Sequence, residues 1–400
     1  MDTQGEYGAS PFDRMDPETA RHPQPMYKLL RDSMPVMRLE GAGVIISRRA
    51  DIDQAFRHPE IFSSNMSAID LKNVRPLIPL QIDPPDHKKF RKILDPLFAP
   101  KQVARLEQPV AKLVNELIDA FIERGDVDFA KEFSIPFPSQ VFLTLLGLPL
   151  DDLPLFLAMK DGIIRPNHVV GTPPGSAEAE AHQREAANSI YAYFDTVLDE
   201  REIEGRDDLL TQFLHTEVDG QRLTRENILD ICFLFLIAGL DTVTASLDCF
   251  FGYLAENPQQ RQQIVDDPSI VPAAVEELLR WETPVTGVAR VAMQGTVIAG
   301  CPVHNGEQVL ILLGSANTDE AEWQDADDVR FEREDNRHLA FGGGIHRCLG
   351  SHLARLELRV ALREWHRRIP QYSVKTGHTL DYTPGLRTLD TFPMVFEAAR

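Results

Sequence analysis

The chain has 400 residues, with 43% hydrophobic and 26% charged side chains and a formal net charge of −20. This composition is typical of a soluble globular protein, and the length ordinarily corresponds to two or three domains. The excess of acidic side chains argues against nucleic acid or an anionic membrane surface as a general partner, because both carry charge of the same sign.

The sequence shows no pattern typical of a signal peptide, a membrane span or a cysteine pair. Residues 1–25 are polar and proline-rich and lack the basic-then-apolar pattern of a signal peptide. No apolar run is long enough to span a bilayer, since the most apolar one, 231–240, is too short. The chain has four cysteines: Cys232, Cys249, Cys301 and Cys348. None forms a CxxC pair, which fits a reducing compartment. We therefore expect a soluble cytoplasmic protein without a membrane anchor.

Short elements alternate before residue 60. Apolar spacing predicts them as helix 25–31, strands 36–39 and 43–47 around a turn at 40–42, and helix 50–58. The next segment, 63–81, has no regular period and contains Pro76 and Pro79. Loops of this length are usually functional or mobile.

The remainder of the chain is predicted to be mainly helical. Helices are expected at 101–124, 135–146, 153–164, 177–204, 224–256 and 272–281. Proline and glycine within 165–176 indicate a flexible connector. Three short strands are expected at 291–293, 297–299 and 309–313.

A basic segment follows the proline pair Pro84–Pro85. Asp86 is expected to cap a helix that begins at His87. His87 and Arg91 lie four residues apart and therefore share one helix face. Without further information, such a face is most often simply solvated.

The helix predicted at 224–256 is apolar all round in its middle, which predicts that it runs through the core. Within it lie Gly239, Asp241 and Thr242, and each opposes either helix propensity or burial. Such local violations tend to mark functional sites. The alternative is a helix kink in which a distant partner satisfies Asp241.

A second pair of charged residues lies on the helix predicted at 272–281. Glu277 and Arg280 are three residues apart, so they share a face and can pair. This spacing is weak evidence by itself, because helices at the protein surface often contain it.

Three consecutive glycines precede one cysteine in the segment Phe341-Gly342-Gly343-Gly344-Ile345-His346-Arg347-Cys348-Leu349-Gly350. Glycines allow conformations closed to other residues and close approach to a flat ligand. Leu353, Leu356 and Val360 follow at helical spacing, so Cys348 lies where a helix N-terminus favours its thiolate. The alternative is a turn with a buried, inert cysteine.

This segment resembles the haem-ligand loop of the cytochrome P-450 family at Phe341, Gly342, His346, Cys348 and Gly350. The segments around His87, Asp241 and Glu277 resemble other signatures of that family and occur in the family's order. The resemblance implies a mainly α fold with a small β region, shaped like a triangular prism. Haem b would lie buried between the long central helix and the helix after the cysteine loop. It also implies one domain, 1–400, with its β-rich part at about 34–48, 288–313 and 371–400.

The resemblance implies a role for each signature residue. Cys348 would be the thiolate ligand of the iron and push electron density towards the O–O bond. Haem propionates would bind His87, Arg91, Arg290 and His346. The distal face would be crossed by Ala238 and Gly239, with Asp241 and Thr242 delivering protons to oxygen. The pair Glu277–Arg280, with Arg333 as a third member, would lock the segment that precedes the cysteine loop.

The family's activity is monooxygenation, here the hydroxylation of a hydrophobic small molecule by a bacterial, monomeric enzyme. The resemblance places five residues in the substrate pocket: Arg75, Leu234, Ile237, Val285 and Thr286. Arg75 either meets a carboxylate or, as we expect, faces water. A terpenoid, steroid, fatty acid or polyketide would suit such a mostly apolar pocket.

Electrons must come from another protein, because the chain has no dinucleotide fingerprint after a strand and no iron–sulfur cysteine cluster. The resemblance implies a ferredoxin with its NAD(P)H-dependent reductase. Its expected docking face is basic and includes Lys88, Lys89, Lys92 and Arg347. A merely solvated helix face is the alternative reading of these residues.

Three competing functions are less well supported. A non-catalytic haem-thiolate sensor has no use for the pair Asp241–Thr242, and peroxide-driven or isomerising relatives usually lack it. A zinc site would need a second cysteine or histidine cluster near Cys348, and the sequence has none with ligand spacing.

Overall fold

The computed structural model describes residues 17–39, 43–65, 74–218 and 220–398. The predicted turn at 40–42 and residues 66–73 of the predicted loop lie outside the described residues. Helices dominate the described residues. They are α1 (Pro17–Arg21), α2 (Gln24–Ser33), α3 (Arg49–Arg57), α4 (Asp86–Leu94), α5 (Pro100–Val103), α6 (Glu107–Asp119), α7 (Pro136–Leu145), α8 (Leu153–Ile164), α9 (Pro166–Val170), α10 (Ala177–Ile203), α11 (Leu209–His215), α12 (Arg225–Glu256), α13 (Pro258–Asp266), α14 (Val271–Glu282), α15 (Leu313–Asn317) and α16 (Ser351–Arg368).

The strands are short. They are β1 (Val36–Leu39), β2 (Gly43–Ile46), β3 (Phe62–Ser63), β4 (Asp126–Asp128), β5 (Glu217–Val218), β6 (Gln221–Arg222), β7 (Gly287–Ala292), β8 (Thr296–Ile298), β9 (Cys301–Val303), β10 (Gln308–Leu312), β11 (Tyr372–Val374) and β12 (Pro393–Phe396). Mainly helical structure with small sheets was expected, so the predicted fold class is confirmed.

The described residues form two compact units. Unit 1 comprises Ser64–Ala99 and Pro138–Leu240, and unit 2 comprises 17–63, Pro100–Phe137 and 241–398. Each unit is described by itself below. A single domain over 1–400 stays a prediction.

Unit 2 contains a five-stranded sheet in the order β1-β2-β10-β7-β3. β2 is antiparallel to β1 and parallel to β10, which in turn is antiparallel to β7. All four residues of β2 are buried, as expected for a valine- and isoleucine-rich strand covered on both faces. The predicted hairpin of β1 and β2 is confirmed.

The helical core of unit 2 is aromatic. The rings of Phe129, Phe251 and Trp365 meet with centroids 4.5 to 5.1 Å apart. Tilted and edge-to-face pairs at these distances stabilise a core beyond the area that they bury. Trp365 belongs to α16, which also packs against α6 and α14. The helix that follows the cysteine loop is therefore held firmly within this unit.

Unit 1 is built around α10, which packs against α8, α9 and α11. Its buried Arg201 donates to Asp208 Oδ2 at 2.6 Å and to the carbonyl of Gly147 at 2.8 Å. Asp208 also caps α11 by accepting the Thr211 N–H. Gly147 has φ +67°, and a Cβ there would lie 2.4 Å from the Asp208 carboxylate, so only glycine fits.

The longest helix, α12, has 32 residues and is therefore about 48 Å long. An 18-residue window of it has a mean hydropathy of 2.0, so by length and composition it is apolar enough to cross a membrane. The expectation that no run is long enough is therefore wrong on these two criteria. Of this window, 78% is buried inside the protein, which is also the behaviour of a core helix.

Several predicted boundaries are wrong for local reasons. The helix expected at 101–124 is split into α5 and α6 by a 3₁₀ turn, Ala104–Leu106. Pro109 explains the break, because proline lacks the N–H that a continuous helix needs there and is tolerated in the first turn of α6. Asp86 does not cap α4: it is the first helical residue, and its carboxylate lies 3.5 Å from Lys89.

Elements were also missed. The helix α13 was not predicted. It begins at Pro258, since the fixed φ of proline suits a first helical position. The helix α11 was not predicted. The connector at 165–176 contains the short helix α9.

A buried carboxyl group in the second half of α12 links three segments of unit 2. Asp248 is fully buried; its carboxylate accepts the Ser134 hydroxyl at 2.5 Å and the Leu389 N–H at 2.9 Å. Burial raises the pKa of Asp248 to about 7, although both hydrogen bonds oppose the rise. The folded protein therefore holds this proton more tightly than the unfolded chain does.

We predict that Asp248→Asn removes part of the pH dependence of stability. Because the folded pKa is the higher one, the wild-type contribution is complete below the unfolded pKa of 3.8 and declines as the pH rises to about 7. The amide is always neutral and can keep both hydrogen bonds. Between pH 4 and pH 8, the melting temperature of the variant should increase relative to that of the wild type as the pH rises. A difference independent of pH would contradict this prediction.

Candidate active site

The segment that carries Cys348 is a tight loop in front of α16. A 3₁₀ turn spans Gly344–His346, and α16 begins at Ser351. The Cys348 N–H donates to the carbonyl of Phe341 at 2.9 Å and closes the loop. The backbone at Gly344 has φ +65°, and a Cβ there would lie 2.4 Å from the carbonyl oxygen of Phe56. Glycine is therefore required both by conformation and by the close approach of α3.

The Cys348 side chain differs from the other cysteines. Cys348 is exposed, whereas Cys232 and Cys249 are completely buried, and burial raises the pKa of both buried thiols. Cys301 is partly exposed on β9, away from any glycine-rich loop. None of the four cysteines, all of which lie within the described residues, forms a disulfide. Cys348 is therefore not buried, as the alternative interpretation would require.

A charged network holds the chain just before this loop. Buried Arg280 donates to both oxygens of Glu277 at 2.8 and 2.9 Å, and Arg333 donates to the same carboxylate at 3.1 Å. Further donors to Glu277 are the Arg330 N–H and the Asn336 side chain. Burial would raise the pKa of Glu277, but these hydrogen bonds and charges hold it below its usual range. The structure thus brings together Glu277, Arg280 and Arg333.

Most residues in the middle of the long helix α12 are buried, but one stretch contains exposed and partly exposed residues. Ala238 is exposed, while Phe235, Gly239 and Thr242 are partly exposed among buried neighbours. The spacing of these four positions places them on one helix face. A Cβ at Gly239 would lie 3.1 Å from the ring of Phe142, so the helix is also closely packed there. Asp241 is buried.

The predicted cationic residues lie in both units. In unit 2, Arg290 is buried, stands over the Phe56 ring at 5.7 Å and donates to the carbonyl of Ala289, while His346 is partly buried. In unit 1, His87 is buried on α4, and burial followed by the charge of Arg91 lowers its pKa. The Arg91 Nε lies 2.7 Å from Asp95.

The residues expected in the substrate pocket are not all available to a ligand. Arg75 does not simply face water: its Nε donates to both oxygens of Asp230 at 2.8 and 3.0 Å, so that expectation is wrong. Tyr191 donates to the same carboxylate at 3.0 Å and lies under the Arg75 guanidinium. Asp230 is buried near the start of α12 and was missed, although an acid beside an apolar helix run is the signal that singled out Asp241.

Two further pocket predictions concern the segment before β7. The Thr286 hydroxyl donates to the carbonyl of Gly385 at 2.9 Å, and Val285 forms an isolated bridge with Leu386. Both residues therefore tie this segment to the C-terminal part of the chain. On α12, Leu234 is buried and Ile237 is partly exposed.

The donor set fits an iron porphyrin. An accessible thiol on a glycine loop could supply a sulfur ligand, and arginine and histidine are side-chain types that bind propionates. The open face of α12 at Ala238 and Gly239 consists of small side chains, which leave room beside a flat group. Among the described residues, no cluster of three or more histidine, cysteine or acidic side chains competes as a metal site. The fold and the donor set define a candidate haem-thiolate protein.

Comparison with known proteins supports the same class of protein. The cytochrome P450 family model matches residues 34–367. Cytochrome P450 130 of Mycobacterium tuberculosis is 35% identical over 375 residues, which cover 89% of this chain and 90% of that protein. The steroid C26-monooxygenase of M. tuberculosis is 32% identical and covers 94% of each chain. The solved structure of CYP109Q5 from Chondromyces apiculatus has a TM-score of 0.87 at 31% identity, covering 96% of this chain and 97% of that one.

The chain therefore belongs to the cytochrome P450 family. It is a cytochrome P450 monooxygenase, and haem b is its cofactor. The predictions of family, fold class, enzyme class and cofactor are confirmed.

The two left-handed glycines of the loop provide a matched pair of variants. We predict that Gly344→Ala greatly lowers the haem content of the purified protein, because the new Cβ would meet the Phe56 carbonyl. The control is Gly342→Ala, which also has a left-handed backbone, φ +68°, but no atom within 4 Å of the new Cβ. Backbone strain of about 1 kcal/mol is common to both. Equal haem content in the two variants would contradict the role of the Phe56 contact.

Proposed function

We propose that Cys348 is the thiolate ligand of haem iron, and that the enzyme hydroxylates a C–H bond of a hydrophobic small molecule with one atom of O2. The observation that supports this most directly is the exposed Cys348 thiol on a glycine loop immediately before α16. When bound, haem activates O2 for insertion into the substrate.

Four cationic or donor side chains would hold the propionates: His87, Arg91, Arg290 and His346. Carboxylates removed from water need such partners, because unpaired buried charges are costly. Backbone N–H groups of the glycine loop would donate to the Cys348 sulfur and tune its basicity. Phe341, Gly342 and Gly350 would shape this loop.

Ala238 and Gly239 would leave space for oxygen, because neither has a bulky side chain. Asp241 and Thr242 would hold and deliver protons. Thr242 is partly exposed on the open face of α12, whereas Asp241 is buried within the same turn. A hydroxyl beside a buried carboxyl group can pass a proton while nearby apolar side chains exclude bulk water.

This function predicts an isotope result. With a ferredoxin, its reductase and NAD(P)H, incubation under ¹⁸O2 should give a product of a hydrophobic test compound that carries one ¹⁸O atom. Thr242→Ala should keep consuming NAD(P)H but release several-fold more peroxide per turnover, because water would replace the ordered hydroxyl. Thr242→Ser, which retains the hydroxyl, is the control. Unchanged coupling in the alanine variant, or product oxygen derived from water, would refute the proposal.

The electron donor would be a small acidic ferredoxin. On α16, Arg355, Arg359, Arg363 and Arg367 recur every four residues and form an arginine row on one helix face. Beside it lies a depression of 590 Å³, lined by five basic residues (Arg333, Arg347, His352, Arg355 and Arg359) and two acidic ones (Glu276 and Glu334). In a chain with a net charge of −20, such a surface suits an acidic partner. In unit 1, the lysines of the predicted docking face, Lys88, Lys89 and Lys92, are exposed on α4.

Neutralising Arg347 together with one member of the arginine row should weaken docking. We predict that Arg347→Ala combined with Arg359→Ala raises the KM for ferredoxin several-fold, with a smaller change in kcat, because charges at an interface rim mainly affect association. The effect should shrink as salt is added. Arg222→Ala, which removes an exposed charge on β6, is the control. An identical KM in both proteins at low salt would contradict this docking face.

The substrate would be elongated and apolar, such as a terpenoid, steroid, fatty acid or polyketide. The M. tuberculosis relative named as a steroid C26-monooxygenase supports a compound of this size. The residues proposed to contact the substrate are Arg75, Leu234, Ile237, Val285 and Thr286. Since Asp230 already neutralises Arg75, a neutral polar group is favoured over a carboxylate. We place this activity in a cytoplasmic, monomeric, single-domain protein.

A further inference from the structure

A second glutamate, Glu276, precedes Glu277 and forms hydrogen bonds with residues on both sides of the cysteine loop. Glu276 lies on α14 with its side chain 23% exposed. Arg355 donates to it through two parallel hydrogen bonds, from Nε at 2.7 Å and from Nη2 at 2.8 Å. Arg355 follows Cys348 on α16. Such a bidentate pair fixes the position of a guanidinium as well as its charge.

The same carboxylate also binds a residue that precedes Cys348. The His338 Nδ1 accepts the N–H of Ala340 at 3.1 Å, so its Nε2 carries the proton and donates to Glu276 Oε2 at 3.1 Å. The His338 side chain is 1% exposed. Glu276 is therefore bonded to the chain on both sides of the cysteine loop.

Arg355 also contacts the loop itself. Its guanidinium carbon stands 4.4 Å from the centroid of the Phe341 ring. The carbonyl of Phe341 accepts the N–H of Cys348 at 2.9 Å. One continuous set of contacts thus runs from the Glu276 carboxylate through the Arg355 guanidinium to Phe341 and then to the residue that carries the thiol.

We propose that Glu276 is a positioning residue for the haem-thiolate centre: it holds both ends of the Cys348 loop and sets how strongly the Arg355 charge acts on the sulfur. The proposal rests on Cys348 being the haem ligand. A guanidinium over an aromatic face is attracted to the ring, and in a partly buried site its charge is only weakly screened. The Glu276 carboxylate offsets most of that charge.

Two variants separate an electrostatic role from a merely structural one. Glu276→Gln removes the negative charge and leaves the Arg355 cation uncompensated, so the ferrous state is favoured and the haem reduction potential should rise. Arg355→Met removes the cation and leaves the carboxylate, so the potential should fall. A structural role alone would move both variants in the same direction, because each breaks the same pair.

The control lies one helical turn further along α16. Arg359 is 3.7 Å from Glu276, is 41% exposed and has no ring contact with Phe341 among the described residues. Arg359→Met removes the same charge and should leave the potential close to that of the wild type. If it lowers the potential as much as Arg355→Met does, the effect is one of general surface charge and the proposal fails.

The experiment is a spectroelectrochemical titration of the haem-loaded wild type and these variants, followed by carbon monoxide spectra over time. Loss of the red-shifted band should be about tenfold faster in Glu276→Gln, since a hydrogen bond to a charged group is lost on each side of the loop. If that variant does not fold, Glu276→Asp keeps the charge with a shorter reach and should give a near-normal potential with a faster loss of the band. Opposite shifts in potential support the proposal; shifts in the same direction, or none, overturn it.

These results are distinguishable from a failure of the proposed function. If the wild type itself lacks the red-shifted band, Cys348 is not the ligand and both ideas fail together. If the wild type shows the band but the potentials do not diverge, only the role of Glu276 is wrong.

Discussion

The cysteine loop depends on one buried carboxylate. Glu277 has no exposed surface, yet it accepts hydrogen bonds from Arg280, Arg333 and the Arg330 N–H. An ionised group in the interior persists only when its partners are complete, and removal of one partner leaves an uncompensated charge. Arg280 also donates to the carbonyls of Asn317, Ala326 and Asp328, so this single pair fixes the irregular chain between α15 and the loop. Irregular backbone thereby gains the rigidity that a metal ligand requires.

The long helix α12, in contrast, contains residues that lower its local stability. In a helix this apolar and this buried, Gly239 lowers the helix propensity and Asp241 is a costly group to bury. Such deviations from good packing are expected where a protein must bind a large flat cofactor and admit small molecules beside it. The aromatic cluster around Trp365 and the packing of α16 against α6 supply stability elsewhere in unit 2.

Much of this was readable from the sequence, and the limits have physical causes. The glycine loop with its cysteine and the long core helix follow from local chemistry, so they could be predicted. The break before α6 was also local, since Pro109 stands where a continuous helix needs an N–H. The pairs Arg75–Asp230 and His338–Glu276 join residues 155 and 62 positions apart, and no periodicity indicates such contacts. Tertiary pairing of charged side chains is therefore the part that required the structure.

Cys348 as the axial ligand is the central claim, and one spectrum tests it directly: the difference spectrum of the dithionite-reduced protein with carbon monoxide. A thiolate opposite carbon monoxide shifts the Soret band far to the red of its position in an imidazole-ligated haem. We predict the red-shifted band in the wild-type protein. A band at the imidazole position, or no haem band from a folded sample, would contradict the account.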